Sequence, residues 1–225
     1  MCGRFTQHHK IEEVAERFEF DLLDDSVGPR FNIAPTQNVP IVYQSKQNQR
    51  EMMLTKWGLI PYWAKDPAIG NKLINARAET LAEKPSFKRA LKQKRCIIPA
   101  DGFYEWPKKN GKKTGGNPLY IRLKGGELFG FAGLWEEWKS PENDVIRSFT
   151  IITVEPNELV AQFHHRMAAI LEPDEEQLWL NHDTPIEEAL ALLSPYDSEK
   201  MEAFEVSKSV NSPSTDDSSL IQKIS

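Results

Sequence analysis

Apolar residues recur at two different spacings along this chain. Near its start they stand every three to four positions, which predicts an amphipathic helix over about residues 10–19. The positions that define this helix are Ile11, Val14, Ala15 and Phe18. Shorter patterns of the same kind predict further helices at 86–92, 158–163, 174–181 and 185–193.

Runs rich in β-branched and aromatic residues, bounded by turn residues, predict strands elsewhere. They lie at 39–44, 51–57, 96–98, 103–106, 119–123, 128–135, 149–154 and 201–206. No internal repeat or linker interrupts residues 1–206, so we expect one mixed α+β domain there. Residues 207–225 are rich in serine and poor in aromatic residues, and we expect them to form a disordered tail.

Charge is distributed unevenly along the 225 residues. The whole chain carries −5, but residues 1–150 hold 24 basic against 18 acidic side chains, and residues 151–225 hold 4 against 15. The segment 84–95 has six basic side chains and no acidic one. Such a cluster suits phosphate binding whatever the total charge, although it also suits the solvated face of a helix. Lys88 and Arg89 are its candidate DNA contacts.

The sequence has no apolar run that could span a bilayer and no secretory start. It therefore predicts a soluble, cytoplasmic protein. We also expect a monomer that is associated with the nucleoid when it is bound to DNA. The two cysteines, Cys2 and Cys96, are too few for a disulfide framework and are expected as thiols. Cys96 is typical of a small core residue.

The second residue, Cys2, is the most informative candidate for chemistry. Its side chain is small enough for an aminopeptidase to remove Met1, which would leave a cysteine with a free α-amine. Such a 1,2-aminothiol condenses with an aldehyde to a Schiff base and then to a thiazolidine ring. With ordinary pKa values of about 8 and about 8.5, both groups would be partly nucleophilic near neutral pH. The alternative is that Cys2 is an accident of the translation start.

Further candidates for chemistry stand in other motifs. Glu105 lies between two aromatic residues, where desolvation would raise its pKa and suit it to proton transfer; the alternative is an exposed glutamate on an edge strand. His164 is a candidate acid–base group or phosphate ligand, with His165 beside it as a rival. Asn75 is a candidate hydrogen-bond partner of a substrate. The adjacent histidine pairs lack the spacing of a zinc site, so neither a metal nor a cofactor is expected.

The segment 57–64 places two tryptophans and a tyrosine in a proline-interrupted loop. Aromatic rings near basic residues suit single-stranded nucleic acid, because bases stack on the rings while Lys and Arg follow the phosphates. The alternative is a loop that faces the core. Trp57, at least, is expected to belong to the core.

Taken together, six motifs resemble those of the SOS-response-associated peptidase family, which are abasic-site-processing proteins that crosslink to DNA. The motifs are MCGRF at 1–5, RFNIAP at 30–35, WGLIP at 57–61, NARAET at 75–80, IPADGFYEW at 98–106 and HHRM at 164–167. The resemblance extends from Cys2 to about Val206. It implies a single α+β domain with a mixed, barrel-like β core flanked by helices.

The resemblance also implies roles for individual residues. Cys2, exposed by methionine removal, would bond to the ring-opened sugar of an abasic site in single-stranded DNA. Asn75 would contact the lesion, Glu105 would assist sugar opening and proton transfer, and His164 would match the family's histidine. The implied DNA contacts are Arg4 and Arg77 to phosphates, and Trp63 and Pro40 against bases.

Two positions depart from the family's pattern. His165 stands where the family often has an acidic residue, and Ala168 stands where it often has a proline. Two other functions stay open on the sequence. One is an N-terminal cysteine hydrolase, in which the Cys2 amine serves as the base for its own thiol. The other is a non-catalytic module that binds single strands.

Overall fold

β-Strands form most of the regular structure of this protein. The computed structural model describes residues 2–21, 27–109, 112–113 and 115–224. The strands are β1 Phe5–Gln7, β2 Arg30–Ile33, β3 Asn38–Gln44, β4 Arg50–Trp57, β5 Asn75–Arg77, β6 Arg95–Ala100, β7 Gly102–Glu105, β8 Lys108–Lys109, β9 Lys112–Lys113, β10 Leu119–Leu123, β11 Phe129–Lys139, β12 Val145–Val154, β13 Met167–Ala168, β14 Ile170–Leu171 and β15 Met201–Glu205. The α-helices are α1 Ile11–Phe18, α2 Pro85–Gln93, α3 Glu158–Ala161, α4 Glu176–Leu180 and α5 Ile186–Ala191.

Five of these strands close into a barrel. Around the ring, β12 pairs with β4, β4 with β3, β3 with β6 and β6 with β11, and β11 returns to β12. The β12–β4 pair is parallel and the other four pairs are antiparallel. Closure leaves the ring without a free edge, and helices α2 and α4 pack against it. The expected α+β fold, with a mixed, barrel-like core flanked by helices, is confirmed.

A second, antiparallel sheet carries the start of the chain. Its strand order is β15-β10-β7-β1-β2. Phe5 of β1 lies opposite Phe103 of β7. Because these two strands are antiparallel, the residues that precede Phe5 lie beside the residues that end β7. This pairing brings Cys2 into the neighbourhood of Glu105.

A buried carboxylate fixes the point at which β1 ends. Asp101 is 1% exposed and stands between β6 and β7. It accepts hydrogen bonds from the Thr6 hydroxyl and from the backbone N–H groups of His8 and His9. These bonds connect the C-terminal end of β1 to the beginning of β7. They therefore help to fix the register of β1 against β7, which determines where Cys2 lies.

The end of the chain is folded, which corrects the disordered tail expected from its composition. Within 207–224, which we call the C-terminal segment, Val210 and Leu220 are buried against two tyrosines of the second sheet. The side-chain amide of Asn32 donates to three carbonyls of this segment. They belong to Val210, Ser212 and Thr215. The average composition of this segment does not reveal that two of its apolar residues, Val210 and Leu220, are buried. It also cannot show that a distant residue, Asn32, satisfies backbone carbonyls between them.

An arginine is fully buried beside the barrel. Arg95, the first residue of β6, is 0% exposed. Its guanidinium donates to the backbone carbonyls of Leu91, Trp179 and Asn181. Leu91 lies near the end of α2 and the other two lie at the end of α4, so one cation satisfies carbonyls at the ends of two helices. Burial, which removes the hydration of the cation, lowers the pKa of Arg95.

Replacing this cation should destabilise the fold. Arg95→Met keeps most of the side-chain volume but leaves three buried carbonyls without their donor. We expect a loss of about 2–4 kcal/mol in the free energy of unfolding, measured by urea denaturation. The matched control is Arg147→Met, because Arg147 is half exposed and lies 3.4 Å from Glu137. That variant should change stability by less than about 1 kcal/mol. Equal stability of Arg95→Met and wild type would contradict the assignment.

Candidate active site

Cys2 lies in a buried position at the start of the second sheet. Its side chain is 1% exposed, and its Sγ lies 4.0 Å from the backbone carbonyl oxygen of Arg4. Burial, and then the negative charge of Glu105, raises the pKa of the Cys2 thiol to about 12. This environment therefore disfavours the thiolate, whereas the sequence alone suggested an ordinary thiol.

Asn75 holds the Cys2 backbone. It lies on β5, paired with Ile151 of the barrel strand β12. Its Nδ2 donates to the Cys2 carbonyl oxygen at 2.8 Å. Its Oδ1 is buried and has no hydrogen-bond partner among the described residues. Asn75 thus joins the barrel to the start of the chain and keeps one acceptor that no described residue fills.

Glu105 completes this group from the other side. It is the last residue of β7 and is 5% exposed. Its charge acts on the Cys2 thiol, as the raised pKa of that thiol shows. The alternative of an exposed glutamate on an edge strand is excluded. The structure thus brings together three of the predicted catalytic residues, namely Cys2, Asn75 and Glu105.

His164 is buried, whereas His165 is exposed, and their rings stack with centroids 4.5 Å apart. The His164 Nδ1 accepts from the Arg166 N–H at 3.0 Å and lies 2.9 Å from the Arg166 carbonyl oxygen. One residue's backbone can therefore serve either state of the ring, by donating to a bare nitrogen or accepting from a protonated one. Burial and fixed orientation favour His164 over His165 as the functional histidine, which stays a prediction.

Arg166 fixes this histidine segment to the strand that carries Asn75. Its buried guanidinium donates to both carboxylate oxygens of Glu79, at 2.7 and 2.9 Å, and to Glu155 at 3.1 Å. Glu79 follows β5 directly, and its pKa is lowered by the hydrogen bonds from Arg166. Sequence reasoning assigned no role to this pair. The signal it offered was an arginine and a glutamate within two of the six motifs.

The predicted phosphate contacts differ in their surroundings. Arg4 is half-buried, and its guanidinium donates to the Asn32 Oδ1 at 2.7 Å and to the Val210 carbonyl oxygen at 2.8 Å. It also lies 5.8 Å from the ring centroid of Trp106. Burial lowers the pKa of Arg4. Arg77 is exposed at the end of β5.

The aromatic loop presents its rings to solvent. Tyr62 and Trp63 are 50% and 46% exposed, whereas Trp57 is fully buried as expected. The Arg89 guanidinium lies 4.3 Å from the Tyr62 ring centroid. These side chains and the exposed Lys88 border a cleft of about 350 Å³ between the loop and α2, which we call the aromatic cleft. The alternative of a loop that faces the core is excluded for Tyr62 and Trp63.

Pro40 lies apart from these exposed residues. It is buried within β3, opposite Leu54 of β4. The contact of Pro40 with a base therefore stays a prediction from the resemblance.

One cluster forms that the spacing along the chain does not reveal. His8, His9 and Asp101 each place a possible ligand atom within 4.8 Å of the others. The hydrogen bond with Asp101 raises the pKa of His9, whereas burial lowers the pKa of His8. Because Asp101 already accepts from a hydroxyl and two backbone N–H groups, we interpret the cluster as the clamp of β1 rather than a metal centre.

Comparison with known proteins agrees with this fold and these motifs. The sequence profile of the family described as SOS response associated peptidase (SRAP) matches residues 1–213. A relative named abasic site processing protein YoqW, from Bacillus subtilis (strain 168), is 47% identical over 225 residues, which cover 99% of each chain. The abasic site processing protein HMCES of Xenopus tropicalis is 33% identical over 202 residues, which cover 76% of this chain and 59% of that one.

The fold has a counterpart among solved structures. The crystal structure of a protein from Bacteroides thetaiotaomicron superposes with a TM-score of 0.89 at 30% identity, covering 99% of this chain and 100% of that one. The chain therefore belongs to the SRAP family, and its fold is shared with this solved structure. Over the described residues, none of the helices has the length and apolar character needed to cross a membrane.

The electrostatic link between Glu105 and Cys2 gives a test. Glu105→Gln removes the negative charge that opposes the thiolate, so the pKa of the Cys2 thiol should fall below its wild-type value of about 12. The measurement is the pH dependence of Cys2 alkylation, read by peptide mass so that Cys96 is counted separately. The midpoint should move to lower pH in Glu105→Gln and stay in place in Glu83→Gln, which changes an exposed glutamate. If the midpoint does not move in either variant, the charge of Glu105 does not influence the pKa of the Cys2 thiol.

Proposed function

We propose that this protein, as a monomer, senses abasic sites in single-stranded DNA and bonds them covalently through Cys2 after Met1 has been removed. Met1 lies outside the described residues. The observation that carries the proposal is the meeting of Cys2, Asn75 and Glu105 in one buried site at the chain's start. The substrate class comes from the relatives named abasic site processing proteins, one of which matches 99% of the chain.

The chemistry begins at the open form of the abasic sugar, which carries an aldehyde. The Cys2 amine attacks the aldehyde carbon, a proton passes to the former carbonyl oxygen, and water leaves to give a Schiff base. The Cys2 sulfur then adds to the same carbon while the thiol proton moves to the nitrogen. The product is a thiazolidine, and one water is released overall.

Glu105 is the group best placed to move these protons. The raised pKa of the Cys2 thiol means that few thiolates exist before the substrate arrives. The sulfur must therefore lose its proton as the carbon–sulfur bond forms, and a carboxylate beside it can accept that proton and return it to the nitrogen. His164 is a second candidate for the same role.

Asn75 supplies position. Its Nδ2 fixes the Cys2 carbonyl, and its Oδ1, which has no hydrogen-bond partner among the described residues, can accept from the Cys2 amine or from a sugar hydroxyl. Holding the amine, the thiol and the aldehyde in one geometry converts a slow bimolecular condensation into an effectively intramolecular reaction.

The single strand itself would be held by charge and stacking. Arg4 lies two residues after Cys2, and Arg77 lies two residues after Asn75 on β5, so each offers a cation to a phosphate near the site. The aromatic cleft offers exposed rings beside Lys88 and Arg89, which suits unpaired bases rather than intact duplex.

A second candidate function is hydrolysis by an N-terminal cysteine nucleophile. The family's description as a peptidase favours it, and removal of Met1 could be self-catalysed in that case. Peptide turnover that depends on Cys2, without a DNA adduct, would support this function. Salt-sensitive DNA binding that survives the loss of Cys2, again without an adduct, would instead indicate a simple binding module.

The decisive measurement is intact mass after incubation with abasic single-stranded DNA. Wild type should lack Met1 and gain the mass of the oligonucleotide less one water, in an adduct that survives denaturant. Cys2→Ser keeps the amine but lacks the sulfur nucleophile, so its adduct should persist only when a hydride donor traps the Schiff base.

The control for this measurement is an oligonucleotide with a tetrahydrofuran residue, which has no aldehyde and should give no adduct. Retention of Met1 in most molecules would remove the amine from the mechanism. Equally durable adducts of Cys2→Ser and wild type without reductant would show that another amine attacks.

The aromatic cleft gives an independent prediction. The double variant Lys88→Glu, Arg89→Glu should bind single-stranded DNA at least tenfold more weakly at moderate salt, to roughly the same extent for every sequence. The slope of log affinity against log salt should become shallower by about 1.4, because two phosphate contacts on a single strand are lost. Fluorescence anisotropy at several salt concentrations measures both quantities.

The matched control changes the same charge elsewhere. Lys46→Glu with Lys124→Glu reverses two exposed lysines outside the cleft. If this control weakens binding as much as the cleft variant, net charge rather than the cleft holds the strand.

A further inference from the structure

A pocket of about 490 Å³ opens beside the residue that follows Cys2. Gly3 and Arg4 line one side of it, and Trp106, directly after Glu105, lines another. The pocket is therefore reached from the same two strand ends that form the candidate active site. The C-terminal segment contributes Lys208 and Asn211, and the other lining residues are Pro107, Gly115 and Gly116.

Hydrogen bonds hold that segment against the pocket. The Trp106 Nε1 donates to the Asn211 Oδ1 at 2.7 Å. The Arg4 guanidinium donates to the Val210 carbonyl oxygen at 2.8 Å. The Lys208 ammonium donates to the Gly115 carbonyl oxygen at 2.9 Å, which keeps it at the rim. The segment expected to be a disordered tail is thus a wall of this pocket.

The chemistry of the lining points to a nucleotide. Arg4 and Lys208 supply two cations, and the described lining contains no carboxylate. The Arg4 Nε is buried and has no hydrogen-bond partner among the described residues. Trp106 adds a partly exposed aromatic ring. Two cations select an anion and a ring selects a flat group, and a nucleotide combines a phosphate with a base.

We propose that this pocket holds the nucleotide next to the abasic residue, with its phosphate between Arg4 and Lys208 and its base against Trp106. The C-terminal segment then completes the DNA site. The proposal rests on the proposed function, since it takes its ligand from the same strand. It adds a fixed place for one neighbour of the lesion and a role for Lys208 and Asn211.

The test uses Lys208→Ala, because Lys208 is exposed and its loss does not threaten the core. Binding is measured by anisotropy on three oligonucleotides that carry a tetrahydrofuran residue. The first has nucleotides on both sides of this residue, the second has none on its 5′ side, and the third has none on its 3′ side. This analogue cannot crosslink, so the readout is independent of covalent chemistry.

Lys208→Ala should weaken binding about tenfold on the first oligonucleotide and on only one of the two shortened ones. On the other, which lacks the nucleotide that fills the pocket, the variant and wild type should bind equally. Lys223→Ala, an exposed lysine of the same C-terminal segment, should bind all three as wild type does. Equal weakening on all three by Lys208→Ala, or none on the first, would overturn the pocket assignment.

The two proposals fail differently. Absence of an adduct with aldehyde-bearing abasic DNA would refute the proposed covalent function and leave these binding results intact. If wild type forms the adduct and Lys208→Ala binds all three oligonucleotides as wild type does, only the assignment of the pocket is refuted.

Discussion

Burying the carboxylate of Asp101 is the condition on which the site depends. A charge removed from water destabilises a fold by several kcal/mol unless donors surround it. Here a hydroxyl of β1 and two N–H groups just beyond β1 point at it. These donors all come from the first nine residues, so satisfying the carboxylate fixes the start of the chain. The strand register that follows carries Cys2 to Glu105.

The burial of Cys2, the proposed nucleophile, affects the ionisation of its thiol. Burial raises the pKa of the Cys2 thiol and so lowers the share of thiolate, the form that reacts with oxidants and electrophiles. In the proposed mechanism, reactivity then depends on a base that acts only when a substrate carbon is in place. The carboxylate whose charge suppresses ionisation at rest is the proposed acceptor of the proton, so protection and catalysis would be two effects of one charge.

Local pattern predicted the parts of this structure that local forces decide. The helix expected at 10–19 is α1, Ile11–Phe18, and the strands expected at 39–44 and 51–57 are β3 and β4. The clamp at Asp101 joins residues more than 90 apart, and no periodicity encodes such a contact. The composition of 207–225 predicted disorder because it cannot register that Asn32 satisfies three of its carbonyls. The pKa of Cys2 likewise depends on burial, which only the assembled fold defines.

The contact between Arg4 and Val210 spans 206 positions of the chain. A ribosome releases the first of these residues long before it makes the second. Throughout that interval Arg4 lacks the carbonyl of Val210 as its hydrogen-bond partner. Once folding is complete, Cys2 is 1% exposed. The burial of Cys2 is therefore a property of the finished fold and not of the growing chain.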